Sequence, residues 1–132
     1  MSEDGQKFCT SFENKAVYID GLRDFMEYRD LGIADATGGR FRAHVVRVKA
    51  DAGDFELHTT GLHRHELDFQ MIYILKGWIR FVYEDQGEFT FGPGDCCLQP
   101  AGIVHNELEC SDDLELLEIT SPAKYETVAI QE

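Results

Sequence analysis

From residue 55 to residue 120 the sequence is cut into short runs by turn-forming segments, and this punctuation does most to limit the folds open to it. The Lys76-Gly77, Asp85-Gln86-Gly87 and Gly92-Pro93-Gly94-Asp95 segments each carry a glycine able to take the positive φ that tight turns require. Between them lie runs at 55–60, 71–75, 78–84, 88–91, 96–99, 104–109 and 114–120, which are strand-sized and too short for stable helices. In 78–84 the residues Ile79, Phe81 and Tyr83 alternate with Arg80 and Glu84, so one face is apolar and inward and the other outward. An earlier run, 41–49, puts Ala43, Val45 and Arg47 on one side and His44, Val46 and Val48 on the other. Seven or eight strands at this spacing predict an all-β fold, either an antiparallel barrel or a double-sheet jelly roll. One helix is expected ahead of them. Asp20 caps it, Leu22, Phe25, Met26 and Arg29 recur at helical spacing, and Gly32 stops it. Residues 1–15 are polar and expected to be loosely held, leaving 16–132 as a single β-barrel domain.

A chain of 132 residues, 43% hydrophobic and 11% aromatic, has material for one core. Its 12 basic and 25 acidic residues give a net charge of −13, which repels nucleic-acid phosphates and anionic lipid, so neither is an expected partner. No helix-turn-helix pattern or basic patch accompanies the strands. No apolar run approaches the ~20 residues of a membrane span, and the N-terminus has no basic region followed by an apolar one. A cytoplasmic location is therefore expected. Cys9, Cys96, Cys97 and Cys110 form no C-x-x-C pair, and reduced thiols fit them best.

Chemistry concentrates in residues 61–77 and 94–105. His63 and His65 are two apart, so on a strand both imidazoles leave the same face. Gln70 has the wrong parity for that strand, and the polar segment 66–68 is expected to turn the chain and aim Gln70 back at the histidines. His105 follows later, after the Pro100-Ala101-Gly102 segment. Three imidazoles and one amide oxygen make a site for a divalent transition metal, since imidazole suits iron, manganese, nickel, copper and zinc whereas calcium and magnesium sites want mostly oxygen. The competing reading is a barrel whose histidines are hydrogen-bonded core residues.

The pattern His63-x-His65, four residues, Gln70, six residues, Gly77, followed by Gly94, five residues, Pro100-x-Gly102, two residues, His105, resembles the paired motifs of the cupin superfamily. The resemblance implies a small RmlC-like jelly-roll barrel, often dimeric, with metal ligands at His63, His65, Gln70 and His105. Three positions depart from the pattern. Gln70 stands where the family has a glutamate, Leu57 where a glycine is usual, and Glu109 where the second motif closes on asparagine. Gln70 removes one negative charge from the ligand set, leaving the ion a stronger Lewis acid and a poorer holder of a higher oxidation state.

Cupin activities are so varied that fold does not choose among them. The leading expectation is a metal-dependent enzyme that oxygenates, isomerises or cyclises a small organic molecule, and the alternative is a non-catalytic small-molecule binder or sensor. A proton-moving residue in the cavity would favour the first and an all-apolar lining the second. Glu107 is the candidate, because it lies two residues past His105 and shares its face if the strand is regular. A bulge there would turn it into water instead. His44 is expected inside the barrel or at its rim and His58 on the surface. One of Cys96 and Cys97 is expected inward as a small buried group. Met71, Tyr73 and Leu75 fall on the outer face and need a cover, either the N-terminal segment or the second subunit of a homodimer.

Overall fold

The computed structural model describes residues 5–20, 25–49 and 61–130. Among them are eleven strands: β1 (Ile19–Asp20), β2 (Met26–Asp30), β3 (Arg42–Val48), β4 (His63–Glu66), β5 (Phe69–Lys76), β6 (Ile79–Tyr83), β7 (Gly87–Phe91), β8 (Cys96–Leu98), β9 (His105–Cys110), β10 (Glu115–Ser121) and β11 (Glu126–Ala129). They form two antiparallel sheets, one in the order β1-β2-β3-β10-β5-β8 and the other β11-β4-β9-β6-β7. The sheets face each other as a jelly roll, and inward residues alternate along each strand.

Strands β3, β5, β6, β7, β8, β9 and β10 coincide with expected runs, to within a few residues at their ends. The run at 55–60, with Leu57 and His58, lies outside the described residues, as does Leu22 of the expected helix. That helix is corrected by the structure, because Met26–Asp30 is a strand paired with β3 over its whole length, from Met26 opposite Val48 to Asp30 opposite His44. Its inward side chains, Met26, Tyr28 and Asp30, follow the period of two and line the interior. The helical spacing of Phe25, Met26 and Arg29 is coincidental, and the open edge of β3 supplies the backbone partners that decide the matter. The helix that does form, α1 (Ile33–Ala36), is a single turn beginning after Gly32.

The interior divides into two levels. At one end Met26, Val46, Val48, Ile72, Ile74, Ile79, Phe81, Leu114 and Leu116 make a continuous apolar core. Ile74 is fully buried and Leu114 nearly so. At the other end polar residues point inward: His44 on β3, Gln70 on β5, Glu118 on β10, His63 and His65 on β4 and His105 on β9. Strand β9 contributes to both levels through a bulge. Glu107 faces Phe81 while Glu109 faces Arg80, so Leu108 is an extra residue with no opposite number on β6. Glu109 thereby points outward to Arg80, 2.9 Å away, and Cys110 turns back into the core.

Candidate metal centre

His63 and His65 are two residues apart on the short strand β4, which lies between β9 and β11. His63 is directly opposite His105 of β9, and Thr127 of β11 is opposite His65. This register brings three imidazoles from two strands to one spot, with ring centroids 4.5 to 5.1 Å apart. A ring nitrogen from each can be chosen so that all three lie within 4.8 Å of one another. His63 and His105 are buried.

The rings are oriented by their other nitrogens. His63 Nδ1 is 2.9 Å from the carbonyl oxygen of Gly61 and His105 Nδ1 is 3.1 Å from that of Ile103. Carbonyls only accept, so each Nδ1 carries a proton, which in a neutral ring leaves the lone pair on Nε2. His65 Nδ1 is 2.8 Å from Thr127 Oγ1. Burial brings His105 down to about 4, with the neighbouring rings of His63 and His65 adding to the fall and the Ile103 carbonyl opposing it. Burial and His63 also lower His65, against the pull of Glu118. Both are neutral near pH 7, the form that binds a metal. Three imidazoles with ligand atoms this close to one another fit a divalent transition ion, and outer hydrogen bonds such as those to Gly61 and Ile103 fix metal-binding histidines.

The cluster opens into a cavity of about 690 Å³, within the range of small-molecule sites. Its apolar wall includes Ile72, Ile79, Phe81 and Leu116, and its polar wall includes Gln70, Gln99, Glu107, Glu118 and Tyr125. Glu107 is therefore on the cavity wall beside His105, because the bulge comes one residue after it. His44 is also inside, as expected. Gln70 is 4% exposed and its Nε2 donates to Glu118 Oε2 at 2.8 Å. Tyr125 stands edge-on to His65 at 5.3 Å with the Arg42 guanidinium 5.8 Å from its ring centre.

Glu118, Tyr125, Arg42 and Thr127 were not singled out by the sequence reading. Glu118 did leave a signal, since alternation in 114–120 places it on the face of Leu116 and Thr120, and a carboxylate on a buried face asks for a reason. Burial alone would raise Glu118, but the hydrogen bond and charge of His44 and the hydrogen bond from Gln70 overcome it and hold the carboxyl below its usual range. Of the paired cysteines, Cys97 packs against the core, and burial raises its thiol, which disfavours the reactive thiolate. Cys96 is exposed.

With fold and site in view, the comparison with known families is direct. Residues 46–120 match the family model for the cupin domain, and the chain belongs to that family. The polyketide cyclase RemF from Streptomyces resistomycificus has a similar structure, with a TM-score of 0.71 and 18% identity over 96% of this chain and 87% of RemF. An RmlC-like cupin from Shewanella frigidimarina aligns with a TM-score of 0.66 and 18% identity over 90% of this chain and 95% of its own. The Bacillus subtilis oxalate decarboxylase, described with Mn(II) centres, aligns with a TM-score of 0.60 and 17% identity, covering 86% of this chain and 29% of the larger protein. No curated protein sequence matches the chain. Among the described residues no helix is long and apolar enough to cross a membrane.

Proposed function

We propose that the chain is a metal-dependent cupin enzyme acting on a small organic molecule, with one divalent transition ion (iron, manganese, nickel or zinc) held by His63, His65, Gln70 and His105. The observation that carries this reading is the convergence of three imidazoles, two of them buried, on the wall of an open cavity. Such an ion supplies Lewis acidity to a substrate oxygen. Ile72, Ile79, Phe81 and Leu116 receive the hydrocarbon part of the substrate and keep water from it. Glu107 takes a proton from the substrate at its carboxylate and returns it. The proton-capable lining separates this reading from a purely binding or sensing cupin, for which an all-apolar cavity would be the better match. A neutral donor set favours isomerisation or cyclisation over oxygenation, because both can proceed by polarisation and proton transfer. RemF is a polyketide cyclase on a similar fold.

Elemental analysis of protein purified without an affinity tag and reconstituted with metal tests the site, and less than about a tenth of an equivalent would overturn it. Candidate small ketones, enols and hydroxy acids can then be screened for turnover. With an active substrate, Glu107→Gln is expected to retain metal and lose roughly a hundredfold to ten-thousandfold in kcat, the usual contribution of a positioned acid or base. Wild-type kcat in that variant would remove Glu107 from the mechanism.

We further propose a single domain over 16–132 that pairs as a homodimer in the cytoplasm. Tyr73 and Leu75 on the outer face of β5 are 38% and 44% exposed, apolar surface that a second copy would cover. Light scattering is expected to give twice the chain mass, and a monomer at micromolar concentration would rule the pairing out.

A further inference from the structure

Gln70 is an unusual partner for three histidines because it brings no charge, and the arrangement behind it supplies what it lacks. Glu118 is the direct cross-strand partner of His44 and the diagonal neighbour of Gln70, whose own partner is Thr120. Both of its oxygens are engaged. Oε1 is 2.6 Å from His44 Nε2 and Oε2 accepts from Gln70 Nε2 at 2.8 Å. A carboxylate can only accept, so Gln70 must turn its nitrogen to Glu118 and its carbonyl oxygen the other way, and His44 must carry its proton on Nε2. His44 is 8% exposed and Gln70 4%, and the Glu118 side chain between them is 18% exposed, so both bonds are largely shielded from water.

We infer that Glu118 is the positioning residue of the metal centre: it turns the Gln70 carbonyl oxygen toward the ion and places one negative charge a single hydrogen bond behind that ligand, with His44 clamping the carboxylate. The inference rests on the proposed metal site. Its physical basis is the polarisability of the amide. Donation from N–H to an anion draws electron density onto the carbonyl oxygen, making it a stronger donor than a solvent-bonded amide. The position taken by a glutamate in the family pattern thus keeps a carboxylate, displaced outward by one residue.

Co(II) is a suitable probe, because its visible absorption reports the donor set as well as occupancy. Titration of the parent chain is expected to give saturable binding. Glu118→Gln should weaken it by roughly tenfold to a hundredfold, the usual cost of losing an outer partner, and shift the absorption bands while the circular dichroism stays that of the parent. Gln70→Glu alone sets two carboxylates against each other and should not tighten binding. Gln70→Glu combined with Glu118→Gln moves the charge onto the ligand and should recover the affinity lost in Glu118→Gln. A general packing defect would not be rescued this way.

If Glu118→Gln and Glu118→Ala bind Co(II) within twofold of the parent with unchanged bands, the inference is overturned and the metal site stands. If the parent binds no Co(II), the metal site and the inference fall together. Should the Glu118 variants not fold, NMR of the Gln70 side chain in the parent decides. A carbonyl carbon resonance that moves on adding Zn(II), with one amide proton still hydrogen-bonded, supports the arrangement; a carbonyl that does not move overturns it.

Discussion

His105→Ala is expected to lower the affinity for a divalent transition metal by at least about a hundredfold, exceeding the range typical when only an outer partner is lost. His105 is 2% exposed and its ring lies 4.5 Å from that of His63 and 5.1 Å from that of His65. Alanine would therefore remove one of the three imidazole donors of the cluster. His105 is already neutral near pH 7, since burial brings it down to about 4, so the native site displaces no proton from this ring on binding. His63→Ala should behave alike. Chelator competition on the refolded, metal-stripped proteins measures the loss, and parent-like affinity in both variants would rule out the three-histidine site.

Gly77→Ala is expected to destabilise the fold by about 2–5 kcal/mol, combining a left-handed backbone penalty of roughly 1–2 kcal/mol with overpacking of roughly 1–3 kcal/mol. Gly77 links β5 to β6 with φ at +72°. An added Cβ would collide with Ser111 Oγ and lie 2.7 Å from Asp113 Oδ1 and 2.9 Å from the Leu114 Cα. The last contact matters most, because it is backbone and the Leu114 side chain is 1% exposed, so relief would mean moving the core. Gly94 is the control. Its φ is +88° but nothing lies within 4 Å of an added Cβ, and Gly94→Ala should cost only the backbone part. Urea denaturation of the two variants separates the effects, and equal midpoints would show that the crowding at Gly77 is relieved cheaply.

These two positions also show what kind of information the sequence carries. Ile79, Phe81 and Tyr83 declared their face because alternation is a local property, and all three are buried. Histidines 63 and 65 declared a shared face for the same reason, and the spacing to Gly77 and His105 carried the family resemblance. The strand Met26–Asp30 was hidden by an accidental helical spacing, and only its partner β3 reveals it. Strand β11 was missed because it is short and mostly exposed, stabilised by pairing with β4 and not by apolar pattern. The contact of His44 with Glu118 joins residues 74 apart in the chain. No local periodicity encodes such a pair, and it exists only once β3 and β10 are in register.

The extra residue in β9 lets one strand serve two inward faces of opposite parity. His105 and Glu107 need odd positions to face the cavity, whereas Cys110 needs an even one to reach the core. Leu108 is the phase shift that lets one strand satisfy both. Straightening the strand with Leu108 retained would force a choice of frame: either Cys110 stays inward and both cavity residues rotate into the sheet's outer surface, or the cavity keeps them and Glu109 is driven toward Ile79. Removing Leu108 itself would leave Glu107 two places before Cys110, so His105, Glu107 and Cys110 would all stay inward on an unbroken pleat. A deletion at Leu108 is thus expected to be milder than one between His105 and Glu107, which would set those two on opposite faces.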